Sequence, residues 1–397
     1  MENAASVISL TRYTNLLQAG EVREIFAASL IGRLPIGITG LAILLFVQTA
    51  RGSFAEGGAA AACYVGGLSI AAPLLGRLID RYGPRGVLLA ATTLFPAALI
   101  AFVWAVEHLG APALMFAAAA GAAFPPITVC MRTYFRQRFA DEMQLSTAYS
   151  LESVLIELIF ILGPVLVALF VALASPAVAV YFAAASGSIG AMLFLRSAAL
   201  RAWKVEDRTS PSPLGPLGES GFVPLIAVVL CFSAAFGFLE IAVTAYATER
   251  QSPALAGVLL GLMSVGSALG GLAYGSRSWR FALVPQFSLL LGLMGAGLAL
   301  LSLASHPVTF AVVGFAAGIV MAPVLIVQSM LVAKSVRPAH TAEAFTWSAS
   351  ALLAGVGLGL GAGGVLLETY PSTAALAAAA ASASLAALLA RLAVKNR

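Results

Sequence analysis

Four ionisable side chains lie well inside long apolar stretches of the sequence. They are Arg33, Glu152, Glu157 and Glu240. A charged group at bilayer depth costs at least about 2.5–3.5 kcal/mol, so such a group is usually paired, water-facing and functional. A carboxylate there can take up and release a proton, and a neighbouring arginine favours its charged form. The chemistry that this pattern predicts is therefore proton exchange inside a membrane.

The composition is that of an integral membrane protein. Of the 397 residues, 60% are hydrophobic and only 10% are charged, whereas a soluble domain carries about 25% charge. The net charge of +5 does not indicate nucleic acid, because most basic residues lie in short loops beside apolar stretches. We therefore expect anionic lipid headgroups as partners. The first apolar stretch is too long for a signal-peptide core, so no cleavable signal is expected.

Twelve apolar stretches are long enough to cross a membrane, because a helix needs about 20 residues to span the hydrocarbon core of roughly 30 Å. We predict an all-α membrane protein with spans at 24–49, 57–78, 86–107, 113–133, 146–172, 177–196, 222–248, 254–275, 282–303, 308–332, 342–368 and 373–392. Most of the 22 Lys and Arg residues fall in loops on the side that also holds both termini. The excess predicts that both termini are cytoplasmic, in a cell (inner) membrane.

A short charged turn joins the second and third spans. It reads Gly76-Arg77-Leu78-Ile79-Asp80-Arg81-Tyr82-Gly83-Pro84-Arg85-Gly86. The pattern G-x-L-x-D-R-x-G-x-R resembles the signature loop of the major facilitator superfamily, whose members are secondary transporters that alternate access between two halves. The resemblance implies that Asp80 braces the contact between halves near the start of span 11, and that Arg81 and Arg85 hold the cytoplasmic gate. Gly76 and Gly83 would permit close helix approach and a tight turn.

The chain divides into two similar parts around a polar segment. We predict a six-helix bundle over 1–196, a cytoplasmic linker over 197–220 and a second six-helix bundle over 221–397. Similar residues recur about 196 positions apart, as in Gly121 and Gly318, which indicates a duplicated unit. Two parallel halves related by a pseudo-two-fold axis along the membrane normal would place a substrate path between them.

The charges within the spans have several possible partners. Arg33 is expected to meet Glu157 or Glu152, and Arg132 is a further candidate partner for Glu152. Two interpretations stay open. In one, Arg33 and Glu157 form a permanent salt bridge that packs the first half. In the other, a carboxylate loses and regains its proton as access alternates, and Arg33 tunes it.

Three further carboxylates are interpreted from their positions. Glu240 has no basic residue near it on its span, so it is a second candidate for proton coupling or for binding a cationic substrate. Glu343 and Glu368 lie at span ends, where we expect them to be solvated.

The favoured function is a proton-coupled secondary transporter that exports small amphipathic compounds or metabolites, because the predicted cavity-lining spans carry few polar groups. Gly163-Pro164 resembles part of the motif of drug:proton antiporters in the family. Two alternatives stay open: proton-coupled uptake of an organic anion held by Arg33, and a non-transporting receptor or assembly protein on the same scaffold.

Several other classes of protein are not expected from the sequence. No nucleophile–His–acid set and no G-x-x-x-x-G-K-[ST] loop is present, so we predict neither an enzyme nor an ATP-driven pump. The scattered cysteines and histidines predict no disulfide framework and no metal site. We expect a monomer that binds a small-molecule substrate and uses the proton gradient without a cofactor.

Overall fold

The computed structural model describes residues 10–52, 54–109, 112–201, 203, 214–252, 254–279, 281–367 and 369–393. Within these ranges the secondary structure is helical, and twelve helical segments are long and apolar enough to cross a membrane. A helix satisfies all of its backbone hydrogen bonds internally, which lipid cannot do for it. Long stretches of Ala, Leu, Val and Gly therefore become spanning helices here, as the sequence predicts.

The first half begins with a short helix that precedes the first span. Its elements are α1 (Leu10–Gln18), α2 (Gly20–Arg51), α3 (Phe54–Tyr82), α4 (Pro84–His108), α5 (Ala113–Ala122), α6 (Ile127–Arg138), α7 (Glu142–Leu173), α8 (Pro176–Arg196) and α9 (Ala198–Arg201). Helix α2 packs mainly on α8, α3 and α7, and α4 packs on α8 and α5. These contacts make the first six spans one bundle.

The second half repeats the arrangement of the spans. Its elements are α10 (Phe222–Glu249), α11 (Ala254–Gly275), α12 (Leu283–Ser302), α13 (Pro307–Gly318), α14 (Met321–Ser335), α15 (Thr341–Leu367) and α16 (Ser372–Ala393). Helix α10 packs on α15 and α16, and α12 packs on α16. In the segment predicted as a linker, 204–213 lie outside the described residues, and a 3₁₀ turn over Gly215–Gly218 precedes α10.

The fourth span of each half is broken. Pro125 and Pro126 separate α5 from α6, because proline has no amide hydrogen to continue the helix. In the second half the break between α13 and α14 comes shortly before Pro323, which lies within the first turn of α14. Pro35, by contrast, lies inside a continuous α2. The breaks therefore recur at matching places in the two halves.

The halves meet mainly through α3 with α15 and α7 with α11, with further packing of α7 on α14 and α6 on α15. We call the end of the molecule that carries α1, the α3–α4 turn and the start of α15 the basic face. At Gly76, an added Cβ would lie 2.8 Å from both the Ala342 carbonyl oxygen and Glu343 Cα, so the absent side chain permits this close approach. Gly83 has a φ of 79°, which favours glycine in the turn before α4.

Candidate transport site and gate

A buried ion cluster lies between α2, α6 and α7. The Arg33 guanidinium, which is completely buried, donates a hydrogen bond from Nη2 to Glu152 Oε1 at 3.2 Å. Arg132 donates from Nε to Glu152 Oε1 at 3.0 Å and to Oε2 at 2.8 Å. Of the two carboxylates considered for Arg33, the structure thus brings Glu152 to it, together with Arg132.

The cluster contains more positive than negative charge, because two guanidinium groups share one carboxylate. Arg33 Nη1 donates to Ser29 Oγ at 3.3 Å, and Arg33 Nε has no hydrogen-bond partner among the described residues. The Arg132 side chain is 15% exposed, and its guanidinium lies 5.9 Å from the ring centre of Phe345 on α15. The cluster therefore packs the first half and also touches the second.

Glu157 lies at the contact between the halves. It is about 22 Å along α7 from the first residue of that helix, and its Oε1 accepts a hydrogen bond from Ser267 of α11 at 2.7 Å. Ser264, one turn away on α11, contributes a second hydroxyl beside the carboxylate. The interpretation in which Arg33 and Glu157 form a salt bridge is wrong, because Arg33 pairs with Glu152, and Glu152 and Glu157 project about 140° apart around α7.

Glu240 is exposed on α10. Among the described residues, no side chain makes a hydrogen bond or an ion pair with its carboxylate. Thr244, on the next turn, donates to the Glu240 backbone carbonyl at 2.9 Å, and Gly237, on the preceding turn, packs against the backbone of α15. Glu240 is thus separate from the ion cluster and from Glu157.

Asp80 connects the halves at the basic face. It is 8% exposed, and its carboxylate accepts hydrogen bonds from the backbone N–H groups of Ala342 at 2.9 Å and Glu343 at 2.7 Å. These amides belong to the first turn of α15, where N–H groups have no partner within the helix and the macrodipole favours an anion. The position is the one that the resemblance implied for Asp80, near the start of span 11.

A second bond reinforces this contact. Arg77 Nη2 donates to Glu343 Oε1 at 2.6 Å, and Arg77 Nε lies 3.1 Å from the same oxygen. The Glu343 side chain is 1% exposed, so the expectation that it is solvated is wrong: α15 begins against α3, which covers it. Glu368 lies outside the described residues.

Arg81 and Arg85, expected to hold the gate, are both exposed. The Arg81 guanidinium lies 5.1 Å from the ring centre of its neighbour Tyr82. Of the basic residues in this turn, it is Arg77 that makes an ion pair across the halves among the described residues. The sequence carried a weak signal for this role, since Arg77 lies one turn before Asp80 on the same helix.

Further hydrogen bonds and ion pairs lie at the basic face. Arg136 donates to the Val336 carbonyl at 2.8 Å, and Lys334 pairs with Glu142 across the halves.

Arg337 donates to Glu219 Oε1 at 2.6 Å. Burial alone raises the pKa of Glu219, but the hydrogen bond and charge of Arg337, with the charge of His340, lower its pKa overall. These contacts join α6 to the α14–α15 connection and α7 to the end of α14. They also join the α14–α15 connection to the segment before α10.

Among the described residues, no group of three or more His, Cys, Asp or Glu side chains is placed to hold a metal ion. The chemistry that the site offers is that of carboxylates, guanidinium groups and hydroxyls. It includes one carboxylate that is bonded only through serine hydroxyls across the interface and another that is unpaired on α10.

Comparisons with known proteins agree with this architecture. The sequence profile described as Major Facilitator Superfamily matches residues 25–251, which is more than half of the chain. No curated protein matches the sequence.

Several solved structures are similar in fold. One is a bacterial homologue of the iron transporter ferroportin in an outward-facing state, with 14% identity and a TM-score of 0.78 over 93% of this chain and 98% of that one. The human organic anion transporter MFSD10 has 18% identity and a TM-score of 0.70 over 93% of this chain and 99% of that one. The E. coli fucose:proton symporter has 14% identity and a TM-score of 0.70 over 94% and 98%.

Proposed function

The chain belongs to the Major Facilitator Superfamily, and from that premise we propose that it is a proton-coupled transporter that exports small amphipathic compounds. The single observation that carries the coupling is the bond between Glu157 of one half and Ser267 of the other at 2.7 Å. A carboxylate at a contact that forms and breaks with alternating access links its protonation to the state of the gate.

The direction of this linkage follows from solvation. Closing the basic face takes the Glu157 carboxylate out of water, which costs more for the charged form than for the neutral form. The groups that face it from α11 are the hydroxyls of Ser264 and Ser267, and no described cation pairs with it to offset the cost. Protonation is therefore expected to favour the closed basic face, and deprotonation its opening.

The buried cluster supports export over uptake of an anion held by Arg33. In the closed state the guanidinium of Arg33 is completely buried and bonded to Glu152 and Ser29, so a substrate carboxylate has no direct access to it. Glu240, exposed and unpaired on α10, supplies a negative charge that suits a cationic amphipathic compound.

Uptake of an organic anion is the second candidate function, because one specific observation favours it. Two arginines share the single carboxylate of Glu152, and Arg132 keeps 15% of its side chain exposed. An anion that reached Arg132 would neutralise the excess charge. The similarity in fold to an organic anion transporter is compatible with this candidate, and the similarity to a fucose:proton symporter is compatible with proton coupling in either direction.

Proton flux in proteoliposomes tests both candidates. Purified protein is reconstituted with trapped pyranine, a pH gradient is imposed, and the vesicles receive tetraphenylphosphonium or ethidium as amphipathic cations, or benzoate as an organic anion. Export predicts proton movement opposite to the cation, and uptake predicts proton movement together with benzoate. Compound drawn inward along an inward proton gradient would contradict export.

Matched variants assign the coupling to a residue. Glu157→Gln is expected to abolish the proton-linked flux at an unchanged protein level, and Glu240→Gln to reduce it. Glu107→Gln removes a carboxylate from an exposed site near the end of α4 and is expected to leave the flux unchanged. Full flux in Glu157→Gln would remove the proposed coupling site, whereas selective loss in this variant would rule out a non-transporting receptor or assembly protein.

We also propose that the basic face is cytoplasmic and that the protein resides in the cell (inner) membrane. The excess of Lys and Arg at this face supports the orientation. Modification of a cysteine introduced at exposed Arg391 by an impermeant maleimide tests it: intact cells should protect this site and inverted vesicles should expose it. Labelling of this cysteine in intact cells would show that the basic face is extracellular and would contradict the proposed orientation.

A further inference from the structure

The two interfaces that close the basic face are related by the internal repeat, but different side chains make the polar contacts across them. Helices α3 and α15 form one interface, and α11 and α7 form the other. With a repeat offset of about 195 residues, Gly76 corresponds to Gly271 and Asp80 to Gly275. The Asp80 carboxylate that binds the first turn of α15 therefore has no counterpart side chain at the second interface.

Tyr13, on α1, lies at this second interface. Its hydroxyl donates to the Leu272 carbonyl of α11 at 2.6 Å and lies 2.9 Å from Ser150 Oγ of α7. A Cβ built on Gly275 would lie 2.7 Å from the same hydroxyl. The phenol thus occupies space that a side chain at Gly275 would need, and it contacts both halves at once.

The surroundings of Tyr13 favour a specific bond over incidental packing. The side chain is 6% exposed, and burial raises the pKa of its hydroxyl, so the hydroxyl keeps its proton and remains a donor. Ser150 donates to the Gly271 carbonyl, and Thr147 Oγ1 donates to the Gly275 carbonyl at 2.9 Å. Leu16, also buried on α1, anchors the helix on the same side as Tyr13.

We propose that α1 is a latch, in which the Tyr13 hydroxyl fastens α7 to α11 and so stabilises the closed basic face. The bond requires both halves to be in contact, so it must break whenever the basic face opens. Breaking the latch is expected to shift the population toward the open basic face. The inference rests on the alternating access of the proposed function but does not depend on the substrate or on the coupling ion.

Spin-label distances test the latch directly. Labels are placed on cysteines at exposed Ala140, between α6 and α7, and exposed Arg391, near the end of α16. The three native cysteines are replaced by alanine, and distances are measured by double electron–electron resonance in nanodiscs. Tyr13→Phe removes only the hydroxyl. Since a net hydrogen bond contributes about 1 kcal/mol, the ratio of open to closed basic face should rise about fivefold.

Two further variants make the result decisive. Thr14→Val removes a hydroxyl that bonds only locally, to the Thr11 carbonyl at 3.0 Å, and should leave the distances unchanged. Asp80→Asn weakens the other interface and should lengthen them. The proposal is overturned if Tyr13→Phe matches the wild type, whether or not Asp80→Asn shifts the distances. Because no substrate is added, failure here is distinguishable from failure of the proposed transport.

Gly275→Ala provides a second perturbation of the latch. Its added methyl would collide with Ser150 and approach the Tyr13 hydroxyl, so the same shift toward longer distances is expected. Unchanged distances in a folded Gly275→Ala protein would also count against the latch.

Discussion

At the scale of single residues, the buried carboxylates differ in whether an arginine pairs with them, and this difference separates a structural role from a candidate coupling role. Arg33 and Glu152 are both completely enclosed and bonded to each other, with Arg132 as the third member. Glu157 is bonded to hydroxyls and carries no salt bridge among the described residues. We therefore assign the structural role to the ion cluster and the coupling role to Glu157.

Removing the carboxylate of the cluster should destabilise the fold. Glu152→Leu leaves Arg33 buried without its partner, which is expected to cost about 3–5 kcal/mol. The double variant Arg33→Met with Glu152→Leu replaces the pair by apolar groups and should recover most of that loss. Thermal unfolding in detergent, followed by circular dichroism, measures both. If the double variant is no more stable than Glu152→Leu, the unpaired Arg33 is not the cause of the lost stability.

The ion pair of Glu219 makes a small, pH-dependent contribution to stability. Its pKa is lowered in the folded protein, so the contribution is present above the unfolded pKa of about 4.3 and is lost as the pH falls through the lower folded value. The free energy of unfolding of the wild type should exceed that of Glu219→Gln by up to about 1 kcal/mol at pH 7, and the difference should shrink as the pH falls below the unfolded pKa. Glu107→Gln serves as the control. A difference in the free energy of unfolding that does not shrink on acidification would contradict the assignment.

At the scale of elements, the packing of α3 on α15 depends on the absence of a side chain at Gly76. Gly76→Ala places a methyl 2.8 Å from the backbone of α15 and should push the two helices apart, which raises the open fraction of the basic face. Gly86→Ala is the matched control, since nothing lies within 4 Å of its added Cβ. The spin-label pair at Ala140 and Arg391 measures both. Equal distances in the two variants would contradict the role given to Gly76.

The elements also show what the sequence can predict and what it cannot. Length and hydropathy predicted the twelve spans, because each span satisfies its backbone within itself. The contact of Asp80 with the start of α15 was implied by the resemblance of a local motif to the family's signature loop. The sequence did not predict the pairing of Arg77 with Glu343 or the bond between Glu157 and Ser267. Both contacts depend on how each helix is rotated about its axis. Apolar periodicity leaves this rotation undetermined when a helix is hydrophobic on all sides.

Tyr13 lay beyond prediction for a different reason. The residues before the first span are mixed in polarity, and no pattern in them indicates a contact with α7 and α11, which are distant in sequence. Only the folded arrangement shows that the hydroxyl reaches the Leu272 carbonyl. Contacts that a short terminal helix makes between two domains carry no periodic signature.

At the scale of the whole molecule, the halves are joined by distinct layers of polar contacts. Nearest the basic face are Asp80 and the ion pairs around α15, and farther along α7 is Glu157 with its serine partners. Opening the basic face must break all of these contacts. Of the groups involved, Glu157 is half-buried at the interface and has no described counter-charge, so its protonation is expected to set the balance between closed and open states.

The most direct test of this claim is the distance between spin labels at Ala140 and Arg391 as a function of pH, without substrate. The account predicts that the wild type is mostly closed at the basic face at low pH and opens increasingly as the pH rises. Glu157→Gln, which is always neutral, should stay closed throughout. The same pH dependence in Glu157→Gln and in the wild type would contradict it.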